Sequence, residues 1–226
     1  MIVAKRKPFQ EILKNLEEYE GVLVVGCGTC VAVCLAGGEK EVGLLASQLT
    51  IASELKGRRF TVGEATVERQ CDKEFLLELK DKVDGYEALL SLACGVGIQF
   101  LAEMYPHKVV LPGVDTAFIG ANEDVGVWTE RCRMCNQCYL AVTGAICPVT
   151  MCSKGLLNGP CSGMRQGMCE VDSSKPCAWR LIYERLENTG RLDQMREILS
   201  PNRYGLITTP AHLVHKAYKR SYPDNG

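Results

Sequence analysis

The chain has 226 residues, of which 46% are hydrophobic and 23% charged, and this ordinary balance excludes a wholly disordered protein. Its 26 Lys and Arg residues against 27 Asp and Glu leave a net charge of −1, so no basic excess favours nucleic acid as the main partner. The unusual feature of the composition is its 13 cysteines, which are clustered along the chain.

Predicted strands and helices alternate over the first half of the chain. A short amphipathic helix that begins at Phe9 precedes an apolar, β-branched run at 21–26, which predicts a buried parallel strand. The further predicted helices cover 39–56, 73–82 and 97–104, and the further predicted strands cover 59–62, 86–92 and 108–111. This alternation predicts a three-layer, Rossmann- or flavodoxin-like α/β domain with a mostly parallel sheet.

The pattern changes after residue 112. Residues 112–131 contain glycine and show no hydrophobic period, so we interpret them as a linker. Gly, Pro, Asn, Ser and eight cysteines dominate residues 132–177, and we expect bound metal to hold this segment together. Helices are predicted at 178–189 and 191–199. The two predicted domains are an α/β domain at 1–120 and a Cys-rich region with helices and a tail at 121–226.

The N-terminal residues and the cysteine count together indicate a compartment. The first residues are basic and then amphipathic, without the apolar core of a secretory signal. The uncharged stretch at 21–38 contains five glycines and three cysteines, so we interpret it as a core strand and a loop rather than as a membrane span. An odd number of cysteines also fits disulfide pairing poorly. We therefore expect a cytoplasmic metalloprotein without membrane insertion.

The first group of cysteines follows the predicted strands. Cys27, Cys30 and Cys34 lie in a loop where a dinucleotide-binding protein carries three glycines, but a valine replaces the third, so nicotinamide binding is not expected. Cys94 follows the strand at 86–92, and Cys71 lies in the loop after an earlier strand. The first-choice ligands of a [4Fe–4S] cluster are Cys27, Cys30, Cys34 and Cys94. Cys71 is an alternative fourth ligand or a spare, and it or Cys94 could instead be a buried apolar residue.

The second group consists of eight cysteines in the predicted Cys-rich segment. Three of them have the spacing C-x2-C-x2-C and a later one precedes a proline, which is similar to ferredoxin-type ligation except for a longer last gap. The eight cysteines fit two four-thiolate sites, either two clusters or one cluster and one Zn²⁺ ion. Their spacing does not show which cysteines belong to which site. The candidate metal ligands of this group are Cys132, Cys135, Cys138, Cys147, Cys152, Cys161, Cys169 and Cys177.

The sequence holds no recognised catalytic motif for hydrolysis, phosphate binding or metalloproteolysis. We therefore expect no catalytic residue and no substrate site in this chain, and we interpret it as an electron carrier.

Four strings in the second half resemble the methylenetetrahydrofolate reductase C-terminal (MetV-like) family, the small iron–sulfur subunit of two-subunit reductases. These strings are GAICP at 144–148, LLNGPC at 156–161, CEVD at 169–172 and PCAW at 176–179. Three N-terminal strings are similar as well, so the resemblance covers about residues 20 to 205. They are GCGTC at 26–30, GGE at 37–39 and LACG at 92–95.

The resemblance implies a partner, a flavin-containing methylenetetrahydrofolate reductase catalytic subunit that holds the folate and the FMN or FAD. This chain would carry two or three [4Fe–4S] clusters and pass electrons from ferredoxin or another low-potential donor to that flavin. The alternative is a zinc-stapled structural subunit that stabilises the flavoprotein without electron transfer. The helix at 178–189 and the tail from 201 to 226, with Tyr204, Tyr218 and Tyr222, form the predicted docking surface.

Overall fold

The computed structural model describes residues 1–201 and 210–215, and the chain divides into two compact units, Met1–Cys132 and Arg133–Gly226. Within the described residues the first unit is an α/β structure with two sheets. Its strands are β1 (Ile2–Arg6), β2 (Gly21–Cys27), β3 (Thr61–Val67), β4 (Ala88–Ser91), β5 (Val109–Pro112), β6 (Val114–Asp124) and β7 (Val127–Cys132). Its helices are α1 (Phe9–Asn15), α2 (Cys30–Val33), α3 (Glu39–Leu55), α4 (Lys73–Leu76), α5 (Lys80–Val83) and α6 (Gly95–Met104), with a 3-10 turn at Leu77–Leu79.

The parallel sheet has the strand order β3-β2-β4-β5. Strand β2 lies in its interior and is buried along its whole length, which its run of valine and leucine between two glycines predicts. Val22 and Val24 join a core with α1 and α3, whereas Leu23 and Val25 join a second core with α4, α5 and α6. Helices therefore pack on both faces of this sheet, while the more specific Rossmann- or flavodoxin-like layout stays a prediction.

The interpretation of residues 112–131 as a linker is wrong. They form the antiparallel hairpin of β6 and β7, which turns at Gly126 with φ +81° and pairs with β1 in a second sheet of order β1-β6-β7. Most of the β6 side chains are exposed or half-buried, so this strand lacks the apolar alternation by which a strand is recognised. Strand β1 was also not predicted. Only two of its residues, Val3 and Ala4, are buried, and the basic residues that follow them leave no recognisable apolar pattern.

Several predicted boundaries differ from those in the structure. Strand β3 begins later and extends to Val67, and the predicted helix at 73–82 is divided into α4, the 3-10 turn and α5. The predicted helix at 191–199 is only a 3-10 turn at Leu192–Arg196. The boundary predicted between residues 120 and 121 falls inside β6, whereas the compact units divide after Cys132.

The second unit contains little regular structure among its described residues, chiefly α7 (Pro148–Met151) and α8 (Ala178–Asn188). Trp179, Ile182 and Leu186 on one face of α8 form a small apolar core. Ile146, Cys152, Leu156, Cys177, Leu192 and Met195 pack against this core. The Cys-rich segment thus has apolar packing that its lack of periodicity did not reveal, and its dependence on metal stays a prediction.

The predicted docking tail lies largely outside the described residues, since Tyr204, Tyr218 and Tyr222 fall in 202–209 and 216–226. Among the described residues, no helix has both the length and the apolar character needed to cross a bilayer.

Candidate metal-binding sites

Four cysteines lie at the carboxyl ends of three neighbouring parallel strands. Cys27 is the last residue of β2, and Cys30 begins the short helix α2 that follows. Cys71 comes shortly after β3, and Cys94 follows β4 as the N-cap residue of α6. Because β3, β2 and β4 are adjacent and parallel, their carboxyl ends share one edge of the sheet, where ligands of open α/β sheets bind. We call Cys27, Cys30, Cys71 and Cys94 the edge cysteines.

Glycines allow the loops that carry the edge cysteines to approach one another closely. Gly37, in the loop after β2, packs so tightly on the end of β4 that an added Cβ would overlap the carbonyl oxygen of Leu92. Gly97 in α6 packs against Gln70, since a Cβ there would lie 2.8 Å from the Cβ of Gln70. Side chains at these two positions would force the loops apart.

A buried glutamine ties the same loops together by hydrogen bonds. The Nε2 of Gln70 donates to the carbonyl oxygens of Val25 at 2.9 Å and Gly26 at 3.0 Å, directly before Cys27. Its Oε1 accepts from the Ser91 hydroxyl at 2.7 Å, and that hydroxyl oxygen accepts from the Ala93 amide at 3.2 Å. Gln70 is 0% exposed and directly precedes Cys71, so this Gln70–Ser91 network fixes the backbone beside three of the edge cysteines.

The other edge cysteines influence the electrostatics of Cys71. Partial burial raises the pKa of the Cys71 thiol, and the neighbouring Cys27, Cys94 and Cys30 raise it further, although Cys71 remains among the exposed cysteines. A cationic metal centre at this edge would stabilise the thiolate of Cys71.

Cys34 is directed elsewhere. Its side chain is buried, and its Sγ accepts from the Ala4 amide at 3.4 Å and lies 3.6 Å from the carbonyl oxygens of Ala4 and Val31. Burial raises the pKa of this thiol. Cys34 thus packs between α2 and β1 as a small apolar residue. Both ligand sets predicted from the sequence include Cys34, with Cys94 or Cys71 as the fourth ligand. The structure places Cys71 and Cys94 at the shared edge and turns the Cys34 side chain into the core, and which of these cysteines bind metal stays a prediction.

Within residues 1–201 and 210–215, no three Cys, His, Asp or Glu side chains are already arranged around a common point as a shell for one metal ion. A tetrahedral zinc shell holds its sulfurs about 2.3 Å from the ion, whereas a four-iron cluster takes each thiolate on a different iron and separates them further. The edge cysteines supply four thiols on short loops at a partly exposed edge. Four thiolates are the ligand set of a [4Fe–4S] cluster, and this role of the edge cysteines stays a prediction.

The loop that carries the C-x2-C-x2-C motif has an unusual backbone. Met134 and Asn136, which lie between the motif cysteines, have φ values of +52° and +55°, in the left-handed region that side chains disfavour. The Cys135 thiol donates to the carbonyl oxygen of Gln137 at 3.2 Å, and Cys147 is the N-cap residue of α7. Strain of this kind is common at binding sites, but the ligand role of this group stays a prediction from spacing.

The last four cysteines of the chain line one pocket in the second unit. The pocket wall includes Met151, Cys152, Lys154, Cys161, Met164, Cys169, Glu170, Cys177 and Trp179. The Cys161 thiol donates to the Glu170 carboxylate at 3.2 Å, and the Cys169 sulfur lies 3.6 Å from the Ser153 hydroxyl. We call these four residues, Cys152, Cys161, Cys169 and Cys177, the pocket cysteines.

Polar neighbours favour the thiolate form of Cys169. The hydrogen bond with Ser153, together with the backbone N–H groups of Val171 and Asp172, lowers the pKa of the Cys169 thiol. Lys154 forms an ion pair with Glu170 beside Cys161. Neither these partners nor Gln70 could be identified from the sequence, because single polar residues outside a motif carry no spacing signal.

One comparison with known proteins gives a result. The family described as methylene-tetrahydrofolate reductase C terminal matches residues 111–205, which include all eight cysteines from Cys132 to Cys177. No curated protein and no solved structure matches the chain. The match supports a methylenetetrahydrofolate reductase-related family for this part of the chain, whereas the edge cysteines lie outside the matched residues.

Proposed function

We propose that this chain is an iron–sulfur electron-transfer subunit of a methylenetetrahydrofolate reductase. It accepts electrons from ferredoxin or another low-potential donor and delivers them to the flavin of a separate catalytic subunit. The observation that carries the proposal is the placement of the four edge cysteines at one edge of the parallel sheet, in a chain whose other part matches a methylenetetrahydrofolate reductase-related family.

The edge site has the features that electron transfer requires. Cys27 is buried while Cys71 is exposed, so a cluster held between them would be anchored in the core and still close to the surface. The Gln70–Ser91 network is buried and fully internal, so it holds the loops rigidly when the charge of a cluster changes. When bound, such a cluster supplies one-electron transfer at a potential set by its hydrogen bonds and exposure.

The folate and flavin sites are assigned to the partner subunit. The sequence contains no recognised catalytic motif, and the sequence resemblance implies a flavin-containing catalytic subunit that carries out the folate chemistry. Thirteen cysteines suit a reducing compartment, so we further propose that the complex is cytoplasmic.

A matched pair of cysteine variants tests the cluster directly. In anaerobically purified protein, Cys71→Ser should lose about four iron atoms per chain, whereas Cys34→Ser should keep the iron content of the wild type. The measurement is iron and acid-labile sulfide per chain, with the electron paramagnetic resonance signal of the reduced protein. Equal iron in both variants, or loss only in Cys34→Ser, would contradict the proposed ligand set.

The second candidate function is a zinc-stapled structural subunit, and the small pocket of the second unit is the observation that favours it. On that account the pure protein is colourless and contains zinc but no iron. Iron and labile sulfide that disappear in Cys71→Ser would exclude a purely structural role.

A further inference from the structure

We infer that helix α3 is a homodimer interface, in which it packs antiparallel against α3 of a second copy of this chain. The inference is independent of the electron-transfer role proposed above. It concerns the face of α3 that points away from the parallel sheet, where every side chain is exposed. We call this the outer face of α3, and its residues are Lys40, Leu44, Ser47, Gln48, Ile51, Glu54 and Leu55.

Helix α3 carries apolar residues on two opposite faces. The inner face is buried in the core that α3 shares with β2, and its apolar residues are Val42, Leu45, Ala46 and Leu49. On the outer face, Leu44 is 52% exposed, Ile51 56% and Leu55 84%. At about 100° per residue these three side chains fall within about 40° of one another around the helix axis. An exposed apolar row at this spacing is typical of a helix that packs against another helix.

The apolar residues of the outer face are arranged symmetrically about the middle of the helix. With a rise of about 1.5 Å per residue, Leu44 and Ile51 each lie about 5 Å from the midpoint between Ser47 and Gln48. A twofold axis through that midpoint therefore places Leu44 of one copy against Ile51 of the other. A twofold interface requires such self-complementarity, because the same surface serves both copies.

The charges of the outer face are complementary in the same arrangement. Lys40 and Glu54 lie about 11 and 10 Å from the midpoint, at opposite ends of the helix. Neither forms an ion pair with another residue in the described ranges 1–201 and 210–215. Antiparallel packing brings Lys40 of each copy beside Glu54 of the other and lays the Lys40 methylene groups over Leu55. Parallel packing would instead place each charge beside its own equivalent, which is unfavourable.

The middle of the outer face is polar. The Gln48 Oε1 accepts a hydrogen bond from the guanidinium of Arg6 at the end of β1, which holds the amide in place. A polar residue within an apolar helix contact fixes its register at some cost in stability. Because one helix from each copy makes the contact, the buried area falls below about 1,200 Å², and we expect a dissociation constant in the micromolar range.

The first test measures the oligomeric state of the full chain, purified anaerobically and kept in reductant so that no disulfide joins the copies. Sedimentation velocity from about 1 to 200 μM should show a reversible monomer–dimer equilibrium. Leu44→Glu should weaken the dimer at least about tenfold, because it places a carboxylate in the apolar contact. Leu77→Glu is the matched control, since Leu77 is 51% exposed in a 3-10 turn whose buried residues join the core on the other side of the sheet. A monomer at every concentration, or equal dimerisation of the two variants, would overturn the inference.

The second test exchanges the two charges. Lys40→Glu alone and Glu54→Lys alone should each weaken the dimer about fivefold, because each creates two like-charge contacts. The double variant restores both ion pairs with their signs reversed and should dimerise as the wild type does. An acid in the first turn and a base in the last turn suit the helix dipole, so these variants keep α3 folded. A double variant that dimerises no better than the single variants would overturn the antiparallel arrangement.

The competing occupant of the outer face is the flavin-containing catalytic subunit. A wild type that stays monomeric, together with a Leu44→Glu variant that no longer binds that subunit, would assign the face to the subunit and overturn the inference. Cys71→Ser should dimerise as the wild type does, so this inference and the proposed function fail separately.

Discussion

Replacement of Gln70 by leucine removes the buried hydrogen bonds that connect the loops of the edge cysteines. The side chain makes three such bonds, to Val25 O, Gly26 O and the Ser91 hydroxyl, at 2.7–3.0 Å. Leucine preserves most of the volume, so the change isolates the polar contribution.

The expected cost follows from the partners that are left behind. Each buried hydrogen bond contributes about 1 kcal/mol net, and a partner left unsatisfied costs up to about 3 kcal/mol. The carbonyl of Val25 keeps a second partner, the Leu92 amide at 2.8 Å, whereas the Ser91 hydroxyl loses its acceptor. We therefore expect Gln70→Leu to lower the free energy of unfolding of the first unit by about 2–4 kcal/mol.

Hydrogen exchange measured by mass spectrometry resolves this loss, because peptides from β2 and β4 report on the first unit alone. Gln99→Leu is the matched control, since Gln99 is exposed and makes only a local bond, from its Nε2 to the Gly95 carbonyl oxygen in α6. The control should change stability by less than about 0.5 kcal/mol. Equal protection of β2 and β4 in the two variants would refute the stabilising role of the network.

Two further predictions concern the first unit. Gly37→Ala should destabilise it by about 3 kcal/mol or more, because the new Cβ overlaps the carbonyl oxygen of Leu92, whereas Gly85→Ala, with ordinary contacts, should be nearly neutral in urea unfolding. Tyr105→Phe should cost about 1 kcal/mol, because it removes the bond from the Tyr105 hydroxyl to the Leu76 carbonyl oxygen at 2.6 Å. Burial raises the pKa of Tyr105 above 10.0, so its contribution is complete below pH 10 and is lost as the pH rises through the raised value. An unfolding series at alkaline pH should show this loss in the wild type and not in Tyr105→Phe.

The parallel sheet could be predicted from the sequence because its strands carry their own signal. The run from Val22 to Val25 is apolar and β-branched, and such a run fits a strand buried on both faces. The hairpin of β6 and β7 could not be predicted, since its side chains are mostly exposed and its order comes from pairing with β1. The pattern of hydrophobic residues along a strand reveals which side chains are buried, and few side chains of the β6–β7 hairpin are buried.

The candidate sites could also be predicted only in part. Spacing located the cysteines but did not separate Cys34, which packs against Ala4 of an unpredicted strand, from Cys71, which lies near the other edge cysteines. That separation depends on tertiary structure. The pocket cysteines likewise come from segments with no shared period, so only the folded backbone groups them.

The central claim, that the edge cysteines carry electrons to a partner flavin, is tested by one rapid-mixing experiment. The chain is reduced anaerobically with ferredoxin and mixed with the flavin-containing methylenetetrahydrofolate reductase subunit, and the flavin absorbance is followed. The account predicts fast bleaching with the wild type and with Cys34→Ser, and slow bleaching with Cys71→Ser. Bleaching at the wild-type rate with Cys71→Ser, or no bleaching with the wild type, would contradict it.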